Sequence, residues 1–199
     1  MIPRHLVIGV SIMLAAVLGI GLYLWHVRGR EFAIQPASSD TRPVAPPISG
    51  PTEQVTLYVA DDNLGTIRAQ SARIPLPAGR QQRAEEVLRA LLGIYLDPNS
   101  PHILPAGSEI REVYLVDPGL AVIDANAAFA DGHRSGVLVE DLTVASLVQT
   151  LSANIPGITQ VKILVEGTQR ETLAGHIDLT ASFDVPAVSQ MVSQLQNSQ

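Results

Sequence analysis

The spacing of apolar and polar residues divides the chain into an apolar start, a proline-rich middle and a long patterned region. Leu6 to Trp25 runs without a charge, and at about 1.5 Å of rise per residue a helix of that length matches the roughly 30 Å hydrocarbon core of a bilayer. Leu, Ile and Val dominate the run, and Tyr23 and Trp25 sit where an interfacial aromatic belt belongs. A cleaved signal peptide is the competing reading. The run exceeds the usual span of about 7 to 15 apolar residues, and the only small-residue site, Ala37 to Ser39, lies well past its end. Residues 1–5 therefore read as a short tail and 6–27 as one uncleaved transmembrane helix. Residues 28–51, with five prolines between 36 and 51 and no periodic pattern, read as an extended linker.

From residue 52 to 186 the pattern is that of a folded domain. Val55 to Ala60 alternates like a strand and stops at Asp61-Asp62-Asn63, and Leu64 to Leu76 reads as a short hairpin insertion ending at Pro75. From Gln81 the period changes: Ala84, Val87, Leu88, Leu91, Leu92 and Tyr95 form one stripe of a helix that Asp97-Pro98 ends. Glu112 to Val116 and Leu120 to Asp124 flank Asp117-Pro118-Gly119 as a hairpin, with Pro118 expected at the first central turn position and Gly119 at the second. A second helix begins at Glu140-Asp141, carries the stripe Val144, Leu147, Val148, Leu151 and Ile155, and closes at Asn154 with Pro156-Gly157. Gln160 to Glu166 is a strand, His176 to Thr180 reads as one more, and residues 187–199 read as a polar C-terminal tail. The order predicts an α+β two-layer sandwich. Its core is β-α-β-β-α-β with an extra hairpin insertion and a C-terminal strand, and pattern alone suggests ferredoxin-like topology.

Charge sharpens this division. The chain of 199 residues has a formal net charge of -6. All nineteen acidic residues lie from Glu31 onward, against ten of the thirteen basic ones, so the body carries -9. An acidic body with scattered arginines excludes a nucleic-acid partner. Arg4 and His5 flank one end of the apolar run and Arg28 and Arg30 the other, so charge bias leaves the membrane orientation open, although long domains are exported largely regardless of charge. The absence of cysteine removes disulfides, thiol catalysis, cysteine-bound zinc and a lipid-modified N-terminal cysteine.

Candidate chemistry is sparse. The doublets Asp61-Asp62, Glu85-Glu86 and Glu140-Asp141 are adjacent residues whose side chains diverge. Asp131, His133 and Ser135 hold the parts of a nucleophilic triad in a loop, without the spacing of a known one. His102 and His176 stand alone, no metal-binding or phosphate-loop motif occurs, and the only lysine, Lys162, lies mid-strand. The expectation is a protein that is not an enzyme, with no catalytic residues, cofactor or metal, and a small-molecule ligand is not favoured.

One feature asks for a physical cause. Leu142 to Val161 contains no charged residue, although a helix on a sheet normally carries charge on its wet face. Two explanations stay open: burial around most of the circumference by the insertion or the C-terminal strand, or a face of Thr143, Ser146, Gln149, Thr150 and Ala153 that packs against another protomer or another envelope protein.

Laid side by side, VTLYVA (55–60), AEEVLRALLGIY (84–95), ILPAGSEI (103–110), GLAVIDAN (119–126) with Phe129, SLVQTLSANIPGITQVKILVEG (146–167) and LAGHIDL (173–179) resemble the GerM-type (GerMN) domain family of sporulation, germination and cell-envelope proteins. The run from Thr150 to Gly167 is the most specific part. The resemblance implies a noncatalytic extracytoplasmic domain, similar to ring-building modules whose small α/β units pack side by side, held at the cytoplasmic membrane by its single-pass anchor. This chain differs from the best-known members in having one such domain and an apolar segment in place of a lipid-modified cysteine. A ligand-binding module, for example for cell-wall glycan, using the 61–76 insertion and the 131–135 loop, is the alternative.

Overall fold

The computed structural model describes residues 50–197, which lie within one compact unit, Ile48–Gln199. The expected anchor at 6–27 falls outside the described residues. Among those described, no helix is long and apolar enough to cross a membrane.

The chain order is β1 (Thr52–Asp61), β2 (Thr66–Pro75), α1 (Arg80–Tyr95), β3 (Ile110–Val116), β4 (Leu120–Ala125), α2 (Ala127–Asp131), α3 (Val137–Asn154), β5 (Gln160–Val165), β6 (Phe183–Asp184) and α4 (Val185–Asn197). The α+β class stands, with two sheets and four helices. β1 and β2 form a two-stranded antiparallel ribbon, and β3-β4-β5-β6 form a separate sheet in that spatial order, with β4 and β5 parallel and the other pairs antiparallel. This is not ferredoxin-like, because β1 does not enter the main sheet: β4 and β5 pair directly, and α3 makes the crossover between them.

The stripe of α1 is realised residue for residue, since Ala84, Val87, Leu88, Leu91, Leu92 and Tyr95 are its buried positions. They join one hydrophobic cluster with Val113, Ala121, Ile123, Val161 and Ile163 of the main sheet and Val55, Leu57 and Val59 of the ribbon. Full burial of each Leu or Val in such a cluster contributes about 1.5–3 kcal/mol against the entropy of ordering it. The β3–β4 hairpin forms where expected, but its turn is displaced by one residue. Gly119 N–H donates to Val116 C=O (3.2 Å), which puts Pro118, after a cis bond, at the second central position. Gly119 is required there by space, because a Cβ would meet Gly157 O at 2.7 Å and Thr159 Oγ1 at 2.8 Å.

The C-terminal part differs most from expectation. Residues 176–180 form no strand. They contribute an isolated bridge, Thr172 to Asp178, in a loop that buries Leu173 and Leu179. The C-terminal strand is β6, and the segment expected as a polar tail is helix α4. Asp184 opens it by accepting from Ala187 N–H (3.0 Å), and Val188 and Val192 bury against the core. α4 packs on α3 and β2.

Candidate interaction site

Helix α3 is buried on nearly its whole circumference, from Leu142 through Leu151. Its polar face is a ladder that closes the outer edge of β1 at Thr56 and Tyr58. Asn154 Oδ1 accepts from Thr56 N–H (3.2 Å) while its Nδ2 donates to Thr56 C=O (2.7 Å), and Thr150 Oγ1 accepts from Tyr58 N–H (2.8 Å). Tyr95 of α1 adds the next rung, its hydroxyl accepting from Ala60 N–H (2.9 Å). Thr150 and Asn154 are four residues apart and so share a helix face, whereas alternate strand residues turn their N–H groups to the same side. The two periods mesh. Burial pushes the Tyr95 phenol up to about 12, so it stays protonated in its rung.

The face proposed from sequence for a partner is thus largely used within the chain. Thr143, Ser146 and Thr150 are fully buried and Gln149 nearly so, with Gln149 Nε2 donating to Ser189 Oγ of α4 (2.6 Å); only Ala153 is exposed. Missing charge on α3 therefore has its explanation in burial: a charged group at these positions would be desolvated without a partner. The cover comes from β1, α1 and α4.

At the N-terminal end of α3 the same face carries a buried polar network. His102 Nδ1 lies 2.6 Å from Asp62 Oδ1 and its Nε2 2.8 Å from Thr143 Oγ1, which is also 2.8 Å from His133 Nε2. His133 Nδ1 lies 2.8 Å from Arg134 C=O, and Arg134 reaches Asp62 Oδ2 at 2.7 Å. The carboxylate and the carbonyl accept only, so both Nδ1 atoms carry hydrogen. With neutral rings, both Nε2 atoms then face one hydroxyl with one hydrogen, which Val139 C=O (2.9 Å) also attracts. Burial lowers the pKa of both histidines, against the opposing pull of Asp62 on His102 and of the Arg134 carbonyl on His133.

Glu140 is a second internal anchor. Its carboxylate is fully buried and accepts from the backbone N–H groups of Gly136, Ala174, His176 and Ile177 (3.0–3.2 Å) and from His176 Nδ1 (2.8 Å). Burial alone would raise its pKa, but these donors outweigh it and hold the carboxyl at about 2.

Among the described residues, Asp62, His102 and Thr143 alone have relay geometry, a carboxylate on Nδ1 and a hydroxyl on Nε2, but His102 and Thr143 are fully buried, out of reach of a substrate. The loop groups singled out in the sequence do not assemble one. Asp131 pairs with Arg170, while the ring nitrogens of His133 meet Thr143 and Arg134, not Asp131 or Ser135. Ser135 Oγ (3.4 Å) and Glu140 (2.8 Å) approach the same nitrogen of His176, whereas proton relay needs a nucleophile and an orienting carboxylate on opposite nitrogens. Among the described residues no group of three or more His, Asp or Glu is placed to hold a metal. The 131–135 loop suggested for a ligand is occupied by these internal contacts, and the 61–76 insertion is strand β2 with its turn.

The outer edge of β2 is different. Register places Thr56 opposite Ser71, Tyr58 opposite Ala69 and Ala60 opposite Ile67. Because the first member of each pair turns its N–H away from the ribbon, so does the second. Gln196 Nε2 of α4 donates to Ile67 C=O (2.6 Å), but the outward backbone groups of Ala69, Ser71 and Arg73 have no partner among the described residues. Arg68, Ala69, Gln70, Ser71 and Arg73 are exposed. No sequence pattern marked this edge; the signal available was Arg68 and Arg73 on a strand without a carboxylate.

With this geometry in place, comparison with known proteins is informative. Residues 56–171 match the Germane family, described as "Sporulation and spore germination". The match spans more than half of the chain, and the chain belongs to that family. No curated protein matches it significantly. Among solved structures, the tandem GerMN domains of the sporulation protein GerM from Bacillus subtilis align at 21% identity and TM-score 0.51, over 67% of this chain and 46% of that one. The first GerMN domain of the same protein aligns at 22% identity and TM-score 0.47, over 65% of this chain and 94% of that one. The tandem alignment supports the GerM-type fold, and this chain spans about half of the tandem's length.

Proposed function

We propose that this chain is a noncatalytic interaction module of the bacterial cell envelope, serving sporulation or germination. In this reading residues 6–27 anchor it in the cytoplasmic membrane, and the proline-rich linker holds the domain on the extracytoplasmic side, where it associates with itself or with another envelope protein. The observation that carries the reading is the commitment of its acid–base groups. His102, His133, Asp62 and Glu140 are each engaged by internal partners that fix the fold, which leaves backbone and surface to meet other molecules. Membership of the Germane family supports the cellular setting.

Two measurements test it. A C-terminal alkaline phosphatase fusion is expected to be active and a fluorescent-protein fusion dark; the opposite pattern overturns the extracytoplasmic placement. A chain carrying His133→Gln and His176→Gln is expected to restore sporulation or germination to a null strain wherever it remains folded. Loss of that role with the melting transition intact would revive an enzymatic reading.

A further inference from the structure

We propose that the outer edge of β2, from Ile67 to Arg73, receives by strand addition an extended acidic segment of a partner protein, whose carboxylates meet Arg68 and Arg73. The proposal rests on the interaction-module reading and names the chemistry of what is bound. Strand addition draws its affinity from main-chain hydrogen bonds and its specificity from alternate side chains, and Ala69, Ser71 and Arg73 supply the open donors and acceptors.

Charge selects the occupant. Of the nine Arg and Lys among the described residues, seven donate to carboxylates or carbonyls: Arg80, Arg83, Arg89, Arg111, Arg134, Lys162 and Arg170. Arg68 and Arg73 alone have no such partner among the described residues, and both stand on β2, whose outer edge is open at Ala69, Ser71 and Arg73. In a body of net charge -9 this is a local reversal of sign. A second copy is a poor occupant, because β2 contains two arginines and no carboxylate, so pairing two of them gathers four positive charges. An acidic strand neutralises them.

The geometry adds a spacing rule. Arg68 and Arg73 are five residues apart and so lie on opposite faces of the ribbon, separated by about 16 Å along the strand. The matching segment therefore carries acidic residues at i and i+5, one on each face. Beside Arg73 a shallow hollow of about 280 Å³, lined by Gln54, Ser71, Ala72 and Arg73, is open to an intervening side chain.

The test uses the full chain in detergent micelles and the labelled peptide acetyl-Val-Glu-Val-Thr-Val-Thr-Glu-Val-amide. Binding is followed by fluorescence anisotropy and by hydrogen exchange of residues 66–75. Expected are slower exchange in that stretch, and binding weakened at least tenfold when the two glutamates become glutamine or when the chain carries Arg68→Gln and Arg73→Gln. Methylation of alternate peptide amides is expected to abolish the protection. Both arginines are exposed and without a charged partner, so these variants remain folded; Ser71→Pro, which removes one edge donor, is the second variant. Equal binding of the glutamine peptide overturns the proposal, as does displacement by inorganic polyphosphate without exchange protection. So does protection of the outward amides of Ala69, Ser71 and Arg73 before any peptide is added, whether from this chain's own segment or, by sedimentation, from a second copy. In cells, a photo-crosslink from Ser71 to an envelope protein that Arg68→Glu and Arg73→Glu abolish supports it. A crosslink only from another face, such as Tyr114, overturns the β2 assignment and leaves the interaction-module reading standing; no crosslink from any face of a functional chain overturns both.

Discussion

The two outer edges of the β1–β2 ribbon share one register yet meet different surroundings. On the β1 side, three successive outward N–H groups are met by Asn154, Thr150 and Tyr95. On the β2 side, Gln196 meets one carbonyl near the turn, and the outward groups of Ala69, Ser71 and Arg73 have no partner among the described residues. An edge strand is a template for pairing, and here one edge is closed by helix side chains while the other is left usable. A protein can thus keep a single strand from joining its main sheet without a bulge or a proline, by giving its edge to a helix.

Proline at the directly opposed residues Thr56 and Ser71 breaks this comparison most sharply. Thr56→Pro removes an N–H that Asn154 binds and is expected to cost about 3 kcal/mol or more. Ser71→Pro removes an unbonded one and is expected to cost under about 1 kcal/mol, since an outward N–H on an edge strand tolerates it. Urea unfolding of the two variants checks the asymmetry, and equal losses would mean that the edges do not differ as described.

Next in size is Asn154→Ala, which strands a part-buried backbone N–H and C=O and is expected to cost about 2–3 kcal/mol. Exchange at Thr56 and Tyr58 should rise in this variant, with β2 unchanged. Glu140→Gln should cost about the same, by placing an amide against backbone donors that the carboxylate now accepts.

Acid should loosen the closed side in two stages. The lowered pKa values of His102 and His133 mean that the unfolded chain binds more protons below its ordinary histidine pKa of about 6.5, so their stabilisation is complete above that pH and declines beneath it. Glu140, held at about 2 against an ordinary 4.5, contributes fully above 4.5 and loses its contribution as pH falls from there toward 2. Thermal melts from pH 7.5 to 2.5 should show both declines. His102→Gln with His133→Gln should remove the first, and Glu140→Gln the second.

The smallest effect is expected on the open side, where Arg68→Gln and Arg73→Gln together should change stability by no more than about 0.5 kcal/mol. A larger loss would reveal partners for these arginines that the open edge does not require.

Sequence revealed local periods well and distant partners poorly. The α1 stripe and the β3–β4 hairpin were readable because each is specified within about sixteen residues. The uncharged circumference of α3 was readable as an anomaly, but its cause was not, since Thr150 and Asn154 meet strand residues 92 and 98 positions away. The same distance hid the meeting of His102 and His133 at Thr143. Helix α4 was missed for another reason. Serine and glutamine dilute its apolar spacing, although Asp184 as a cap and Val185, Val188, Val192 and Leu195 at helical intervals carried the signal. The separation of β1 from the main sheet had no local sign at all.

Closure of the β1 edge also sets valency. A ribbon open on both sides can pass pairing from one molecule to the next and grow without limit, as cross-β assemblies do. From Thr56 to Ala60 this ribbon can be entered from one side only, so a strand bound at β2 finds no continuation through that stretch of β1 into another copy. Whatever joins there forms a complex of fixed stoichiometry, and the domain ends a chain of contacts instead of extending it.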